Sequence, residues 1–328
     1  MSMSPHVVMY DENFGWSPSF NAYHQVGGWE VYQVQIATWL AAQGLSVLAV
    51  NPGRSDSTDE DGVTYFPHIK GAKTGITGDC RALVLGRHSR RPRDVRAGRV
   101  VTSAVDDPRY CDETYDHLIG QSTIVCLSEW QAGLYRAKGH DAVVIPSMID
   151  DYVYSMPRNQ IEGACGFVCL NAWNKGTEAT LAVWAKMRAR YPEWKATLAV
   201  GSPYSHPEDA EARCRQAGAS WLGTLSPRDV VAYLASAEAV FRVNDRHPET
   251  YSVCDAIAEV VGTRVHTLHT GELGAVRETL VSPYLTDNYE EFASGVMFPM
   301  KPYPKARDVR LSKIMPMWLD VLGLERKN

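Results

Sequence analysis

Glu249 stands among residues that could do chemistry together. It follows Pro248, and the run Thr250-Tyr251-Ser252-Val253-Cys254-Asp255-Ala256-Ile257 leads on to a break at Gly262-Thr263. Val253, Ala256, Ile257, Val260 and Val261 recur at i, i+3, i+4, i+7 and i+8, which predicts a helix with one buried face. Ser252 and Asp255 fit a capping box that holds the first-turn N–H groups open. A helix start offers partial positive charge to an anion such as a diphosphate. A carboxylate beside it, Glu249, can hold sugar hydroxyls, while the amides of Thr250, Tyr251, Ser252 and Val253 meet the sugar and phosphate. A diphosphate and a sugar in one place suggest chemistry on a nucleotide sugar; the plainer alternative is an ordinary capped helix in an α/β domain.

A second cation-bearing turn lies upstream. Lys175, with Gly176 beside it, follows a predicted strand and precedes a predicted helix, where an ammonium can neutralise a leaving diphosphate. Arg246 is a further cation close to Glu249 in sequence. Asp106-Asp107 invites a metal reading, but Asp107-Pro108 is a good turn starter, and no metal or other cofactor is assigned.

The elements that must position these residues read as an α/β chain in two halves. His6–Tyr10 is a first strand, a polar loop ends in Gly27-Gly28, a helix carries Val31, Val34, Ala37, Leu40 and Ala41, and Leu45–Val50 is the next strand. Strand, Gly-rich turn, helix, strand opens a doubly wound parallel sheet. The turn is not GxGxxG, which weakens a nicotinamide reading. Further strands are expected at Val63–Phe66, Ala82–Leu85, Arg99–Ser103, Thr123–Leu127 and Ala142–Pro146, with a helix opened by Ser128-Glu129-Trp130-Gln131. A polar stretch at 151–163 suggests a linker. The alternation then restarts: strands at Gly166–Leu170, Ala196–Val200, Trp221–Gly223, Ala239–Val243 and Thr263–Leu268, helices at Thr177–Tyr191, Pro207–Gly218, Pro227–Ala237 and Gly271–Leu280. A last helix near Val309–Leu322 bears Leu311, Ile314, Met315, Trp318 and Leu319 on one side.

Together these pieces resemble the retaining GT-B glycosyltransferases of the family 4 (group 1) superfamily. The resemblance runs through Gly27-Gly28, Ser128-Glu129-Trp130, Ile145-Pro146 with Asp150, Asn174-Lys175-Gly176, Gly223-Thr224-Leu225-Ser226, Pro248-Glu249 and Gly262-Thr263. It implies two Rossmann-like domains with a cleft between them: residues 1–155 for the acceptor, 156–305 for the nucleotide sugar, and 306–328 crossing back to the first domain as a helix. It implies transfer of a sugar from a UDP- or GDP-linked donor with retention, without a metal. By the same resemblance Gly27-Gly28 admits the diphosphate, Lys175 steadies the leaving group, Glu249 holds the donor sugar, and His88 (with His24 as rival) is the acceptor-domain histidine near the sugar. Two positions depart from the family. Its second Glu is Ile257 here, for which Asp255 or Glu259 are candidate substitutes on other helical faces, and its Arg ahead of the lysine is replaced by Asn171 and Trp173. These departures favour, as a second reading, a non-catalytic nucleotide-sugar-binding or partner protein; an enzyme such as a nucleotide-sugar epimerase is a third.

Composition sets the outer limits. A chain of 328 residues with 45% hydrophobic and 22% charged content is natural for two soluble α/β domains. No run approaches the ~18 apolar residues that suggest a membrane span. The start, Met1-Ser2-Met3-Ser4-Pro5, lacks a signal-peptide charge pattern, so a cytoplasmic location is expected. Seven cysteines, with Cys126, Cys169 and Cys254 inside apolar runs and no CxxC pair, read as buried free thiols of a reducing compartment. A net charge of −5 argues against a general nucleic-acid or membrane binder. Yet Arg81, Arg87, Arg90, Arg91, Arg93, Arg96 and Arg99 cluster in the half expected to hold the acceptor. They form either a solvated loop or a landing site for an anionic acceptor, such as a lipid-linked glycan at a membrane surface or a hydroxymethylated DNA base.

Overall fold

The computed structural model describes residues 5–19, 28–53, 57–68, 78–87, 89–104, 107–110, 122–159, 161, 166–202, 206–245, 249, 251–272, 274–279, 284–297 and 306–325. The chain divides into two compact units, unit 1 comprising Met1–Met148 with Val309–Asn328 and unit 2 comprising Ile149–Asp308. The polar stretch after residue 150 lies in unit 2, where it forms a 3₁₀ turn, Asp151–Ser155, with Val153 buried.

Unit 1 is built on eight strands: β1 (Val7–Tyr10), β2 (Val47–Asn51), β3 (Thr58–Glu60), β4 (Val63–Pro67), β5 (Gly78–Leu85), β6 (Val95–Ser103), β7 (Thr123–Cys126) and β8 (Ala142–Val144). Their spatial order is β3-β4-β2-β1-β5-β6-β7-β8. β3 pairs with β4 antiparallel, and the other pairings are parallel. The continuous apolar run of β1 is buried along its length, as a central parallel strand requires. β5 and β6 extend well ahead of the strands expected at 82–85 and 99–103. Their leading halves carry exposed Asp79, Arg81, Arg96 and Arg99, which hid the strand period. The arginine-rich stretch is therefore two strands and a connection, not one loop.

Helix α1 (Gly28–Ala42) buries Trp29, Tyr32, Ile36 and Leu40, a stripe rotated from the expected Val31, Val34 and Ala41 because the aromatic rings take the core side. Helix α2 (Glu129–Ala137) starts as expected, with the Ser128 hydroxyl accepting from the Gln131 amide at 3.2 Å.

Unit 2 carries β9 (Phe167–Cys169), β10 (Leu198–Ser202), β11 (Ser220–Thr224), β12 (Ala239–Asn244), β13 (Arg264–His269) and β14 (Tyr284–Thr286), all parallel, in the order β11-β10-β9-β12-β13-β14. Helices α3 (Thr177–Arg190), α4 (Ala210–Ala217), α5 (Pro227–Ser236), α6 (Val253–Val260), α7 (Val276–Thr279) and α8 (Tyr289–Met297) alternate with them. Their core is aromatic: Phe241 packs edge-on against Trp184 at 5.3 Å and Phe292 at 5.0 Å between centroids. The helix expected over 271–280 shrinks to the single turn of α7, because Gly274 ahead of it takes a left-handed φ of +61° and bridges to Glu249. α8 escaped the sequence reading altogether.

The last helix, α9 (Leu311–Leu322), belongs to unit 1. It buries Ile314, Met315, Trp318, Leu319 and Leu322, and the Trp318 indole N–H donates to the Tyr32 hydroxyl of α1 at 3.3 Å.

Candidate nucleotide-sugar site

In unit 2 the strand order reverses between β9 and β12, which are neighbours through Phe167–Ala239 and Val168–Val240. Open parallel sheets bind ligands at such a reversal, beyond the carboxyl ends of the strands. Lys175 lies in the turn after β9 and Glu249 in the segment after β12, so both expected residues flank this point. Their side chains meet: Lys175 Nζ donates to Glu249 Oε2 at 3.1 Å.

Gly176 makes that meeting geometrically available. It holds φ +86°, and a Cβ there would fall 2.0 Å from the Val243 carbonyl oxygen of β12. The Lys175 turn thus packs against the β12 backbone as only glycine allows. Thr180 of α3 ties the same parts together, donating to the Gly176 carbonyl at 2.8 Å and accepting from the Val243 amide at 3.0 Å. On the other side, the Glu249 carbonyl accepts from the Ala275 amide at 2.6 Å.

Behind Glu249 stands a residue that the sequence reading passed over. Arg242 of β12 is 1% exposed and donates through Nη2 to Glu249 Oε1 at 2.6 Å and through Nη1 to Asp255 Oδ2 at 2.5 Å and the Ser252 hydroxyl at 2.7 Å. Burial acts to raise the pKa of Glu249, but Lys175 and Arg242 outweigh it and hold the carboxyl below its usual range. Burial likewise opposes the charge on Arg242, and Asp255 and Glu249 reverse that and raise its pKa. The warning sign was available: a charged residue inside the apolar strand Ala-Val-Phe-Arg-Val needs a buried partner.

Arg242 also overturns the expected capping box at α6. The Ser252 hydroxyl donates to Asp255 Oδ2 at 2.5 Å and caps no amide. The same Ser-x-x-Asp spacing does form a capping box at α5, where Ser226 and Asp229 exchange bonds at 3.2 and 3.3 Å. The difference is the guanidinium, which draws both side chains of α6 inward. The buried face of α6 accordingly runs through Asp255, Ala256 and Ala258, while Val253, Ile257, Glu259 and Val260 are half-buried. Asp255 is fully buried against Arg242, so it is no substitute for the carboxylate absent at Ile257.

Of the other expected residues, Ser252 is buried and Tyr251 half-buried at the start of α6, and burial raises the pKa of the Tyr251 phenol. Gly28 opens α1 in unit 1. Gly27, His24, His88, Asp106, Arg246 and Thr250 lie outside the described residues. Asp107 is engaged by Arg109 at 2.5 Å. Beside the Lys175 turn opens a cavity of about 430 Å³, lined by Trp173, Asn174, Gly176 and Glu178 from the turn and α3, and by Pro207, Arg213 and Asp245. Lys175 and Glu249 do not line it.

Unit 1 has its own order reversal, between β1 and β5. Asp11 sits there, fully buried, accepting through Oδ1 from the amides of Asn13 at 2.9 Å and Phe14 at 3.0 Å, and through Oδ2 from the Trp29 indole at 3.4 Å. Gly86, after β5, lies so close that a Cβ would meet Asp11 Oδ2 at 2.6 Å. Burial pushes the Asp11 carboxyl up to about 6, against the pull of these donors. The sequence reading missed Asp11, whose signal was an acidic residue directly after an apolar strand.

No family model matches the chain, and no curated protein does. Solved structures do. HepE of Anabaena, solved in complex with UDP and glucose, has a TM-score of 0.63 at 12% identity over 97% of this chain and 99% of its own. A glycosyltransferase of Rickettsia africae gives 0.64 at 12% identity over 98% and 93%. WaaG, a glycosyltransferase of lipopolysaccharide biosynthesis, gives 0.61 at 12% identity over 96% and 93%. The chain has the fold of the GT-B glycosyltransferases, as its sequence resemblance implied.

Proposed function

We propose that this chain is a glycosyltransferase that moves a sugar from a UDP- or GDP-linked donor to an acceptor hydroxyl with retention of anomeric configuration, without a metal. The observation that carries this reading is the Lys175–Glu249 pair at the β9/β12 reversal. The Lys175 side chain is 42% exposed, so its ammonium can turn to a diphosphate while its turn stays fixed by Gly176. A carboxylate can accept about four hydrogen bonds, and Glu249 spends two on its cations, so it keeps capacity for two sugar hydroxyls. The neighbouring cavity is lined by an Arg213–Glu178 ion pair and by Asp245, and its volume and the Trp173 ring suit the base.

In the reaction, Lys175 and nearby amides stabilise the charge that grows on the leaving diphosphate. The diphosphate then takes the acceptor proton on the face it is leaving, so no second carboxylate is needed as in a glycosidase pair. His88, Arg246, Thr250 and Gly27 remain candidates for the acceptor side and the phosphates. The exposed Arg81, Arg90, Arg91, Arg93, Arg96 and Arg99 of unit 1 favour an anionic acceptor. None of the described helices is long and apolar enough to cross a membrane, which suits a cytoplasmic enzyme.

One observation favours a second reading, that of a nucleotide-sugar-binding protein without turnover: the second acidic position is Ile257, and Asp255 is committed to Arg242. A thermal-shift screen over UDP- and GDP-sugars tests both. A donor at 100 times its Kd raises stability by about 2.7 kcal/mol. Stabilisation with donor hydrolysis in the absence of acceptor supports the enzyme, stabilisation with neither hydrolysis nor transfer supports the binder, and no stabilisation by any donor removes both.

A further inference from the structure

Glu249 is held from two sides: by Lys175 at the surface and, from within, by Arg242. Arg242 is itself fixed by Asp255 and Ser252 in the first turn of α6. We propose that Arg242 is a positioning residue for donor-sugar binding, and that its pair with Asp255 ties the Glu249 carboxylate to the start of α6. This rests on the reading of Glu249 as a sugar ligand.

The geometry argues for it. One planar guanidinium aims Nη1 and Nη2 at two different carboxylates, which fixes the orientation of both. Stability alone does not account for the arrangement. β12 is buried at every position, and an apolar side chain at 242 would suit such a strand better than a charge. The cluster even leaves Arg242 Nε and Asp255 Oδ1 buried without a hydrogen-bond partner. Charge balance points the same way. The groups facing Glu249 are Lys175 from the turn before α3, Arg242 from β12, and Cys254 and Asp255 from α6. Burial pushes the Cys254 thiol up to about 12, so the charges that count are two cations and two carboxylates. Without Arg242, Glu249 would face one half-exposed lysine and Asp255 would lose its salt-bridge partner.

Arg242→Met alone strands Asp255 without a counter-charge and invites unfolding. The double variant Arg242→Met/Asp255→Leu removes one charge of each sign and fills the space with apolar atoms. The probes are UDP, GDP, UDP-glucose and GDP-mannose, titrated calorimetrically against the full chain. The double variant is expected to melt near the wild-type temperature and to bind the nucleoside diphosphate within ~3-fold, yet to lose roughly 10-fold or more in affinity for the nucleotide sugar. The acid limb of nucleotide-sugar binding should also move to higher pH, because Glu249 has lost one of the two cations that keep it ionised. Wild-type sugar affinity with an unmoved acid limb overturns the proposal, and so does an equal loss for both ligands, which marks a structural role. Should the double variant not fold, Arg242→Lys decides. It keeps the charge and loses the fork, and undiminished nucleotide-sugar affinity in that variant is again fatal. Glu249→Ala separates the two levels: if it leaves nucleotide-sugar binding intact, the reading of Glu249 fails; if it weakens that binding and the Arg242 variants do not, only the present proposal fails.

Discussion

Lys175 and Glu249 hold one another across 3.1 Å, and the contact defines what each can do when a donor arrives. Lys175 is the more exposed partner, while Glu249 is buried and backed by Arg242. Removing the ammonium takes charge stabilisation from the leaving diphosphate and leaves Glu249 with Arg242 as its cation. Lys175→Ala should therefore lower kcat/KM by roughly 10²-fold or more, with the loss mainly in kcat. An unchanged rate in a folded variant would move the diphosphate to other groups. Glu249 also contributes to stability in a pH-dependent way. Its folded pKa is depressed, so its contribution is present above the unfolded carboxylate range and is lost as pH falls through the folded value.

At the scale of elements, two joints invite measurement. Asp11 links the end of β1 to α1 and to the turn after β5. Its pKa is raised to about 6, so the sign is opposite to that of Glu249. Stability from this group is whole below the unfolded value and is lost as pH rises through about 6, at a cost of up to about 3 kcal/mol at neutral pH. Asp11→Asn keeps an acceptor for the two amides. It should raise the melting temperature of unit 1 above pH 6 and lose that advantage near pH 4; a difference independent of pH would contradict the buried-carboxylate account. The second joint is α9. Trp318 is fully buried and bonded to Tyr32, so Trp318→Ala should cost unit 1 about 3–5 kcal/mol. Nucleoside diphosphate binding by unit 2 should stay within ~2-fold in that variant, as expected for sites without shared partners. Loss of that binding in step with the melting temperature would contradict the assignment of α9 to unit 1.

Across the whole molecule, the alternation of apolar strands with helices was legible because parallel strands buried on both faces carry unbroken apolar runs, as in β1 and β9. So were the turn at Lys175-Gly176 and the acidic residue after β12. Three features were hidden for physical reasons. The leading halves of β5 and β6 carry charge on an exposed face, which hides strand period behind arginines. The bridge from Glu249 to Gly274 is a contact between distant segments, and it cancels most of a helix that local pattern supports. The Ser252–Asp255 spacing is locally indistinguishable from the capping box at Ser226–Asp229, and only Arg242, ten residues upstream in another element, decides between them. Each miss is a case of tertiary context overriding local preference.

The central claim is that Glu249 meets the donor's sugar while Lys175 meets its diphosphate. Calorimetric titration of Glu249→Ala with a nucleotide sugar and with its nucleoside diphosphate tests this most directly. A charged hydrogen bond contributes ~1.5–3 kcal/mol, so nucleotide-sugar affinity should fall roughly 10- to 150-fold. Affinity for the nucleoside diphosphate should hold or rise, because Lys175 is released from its partner. Equal loss of both ligands, or no loss of either, would contradict the account.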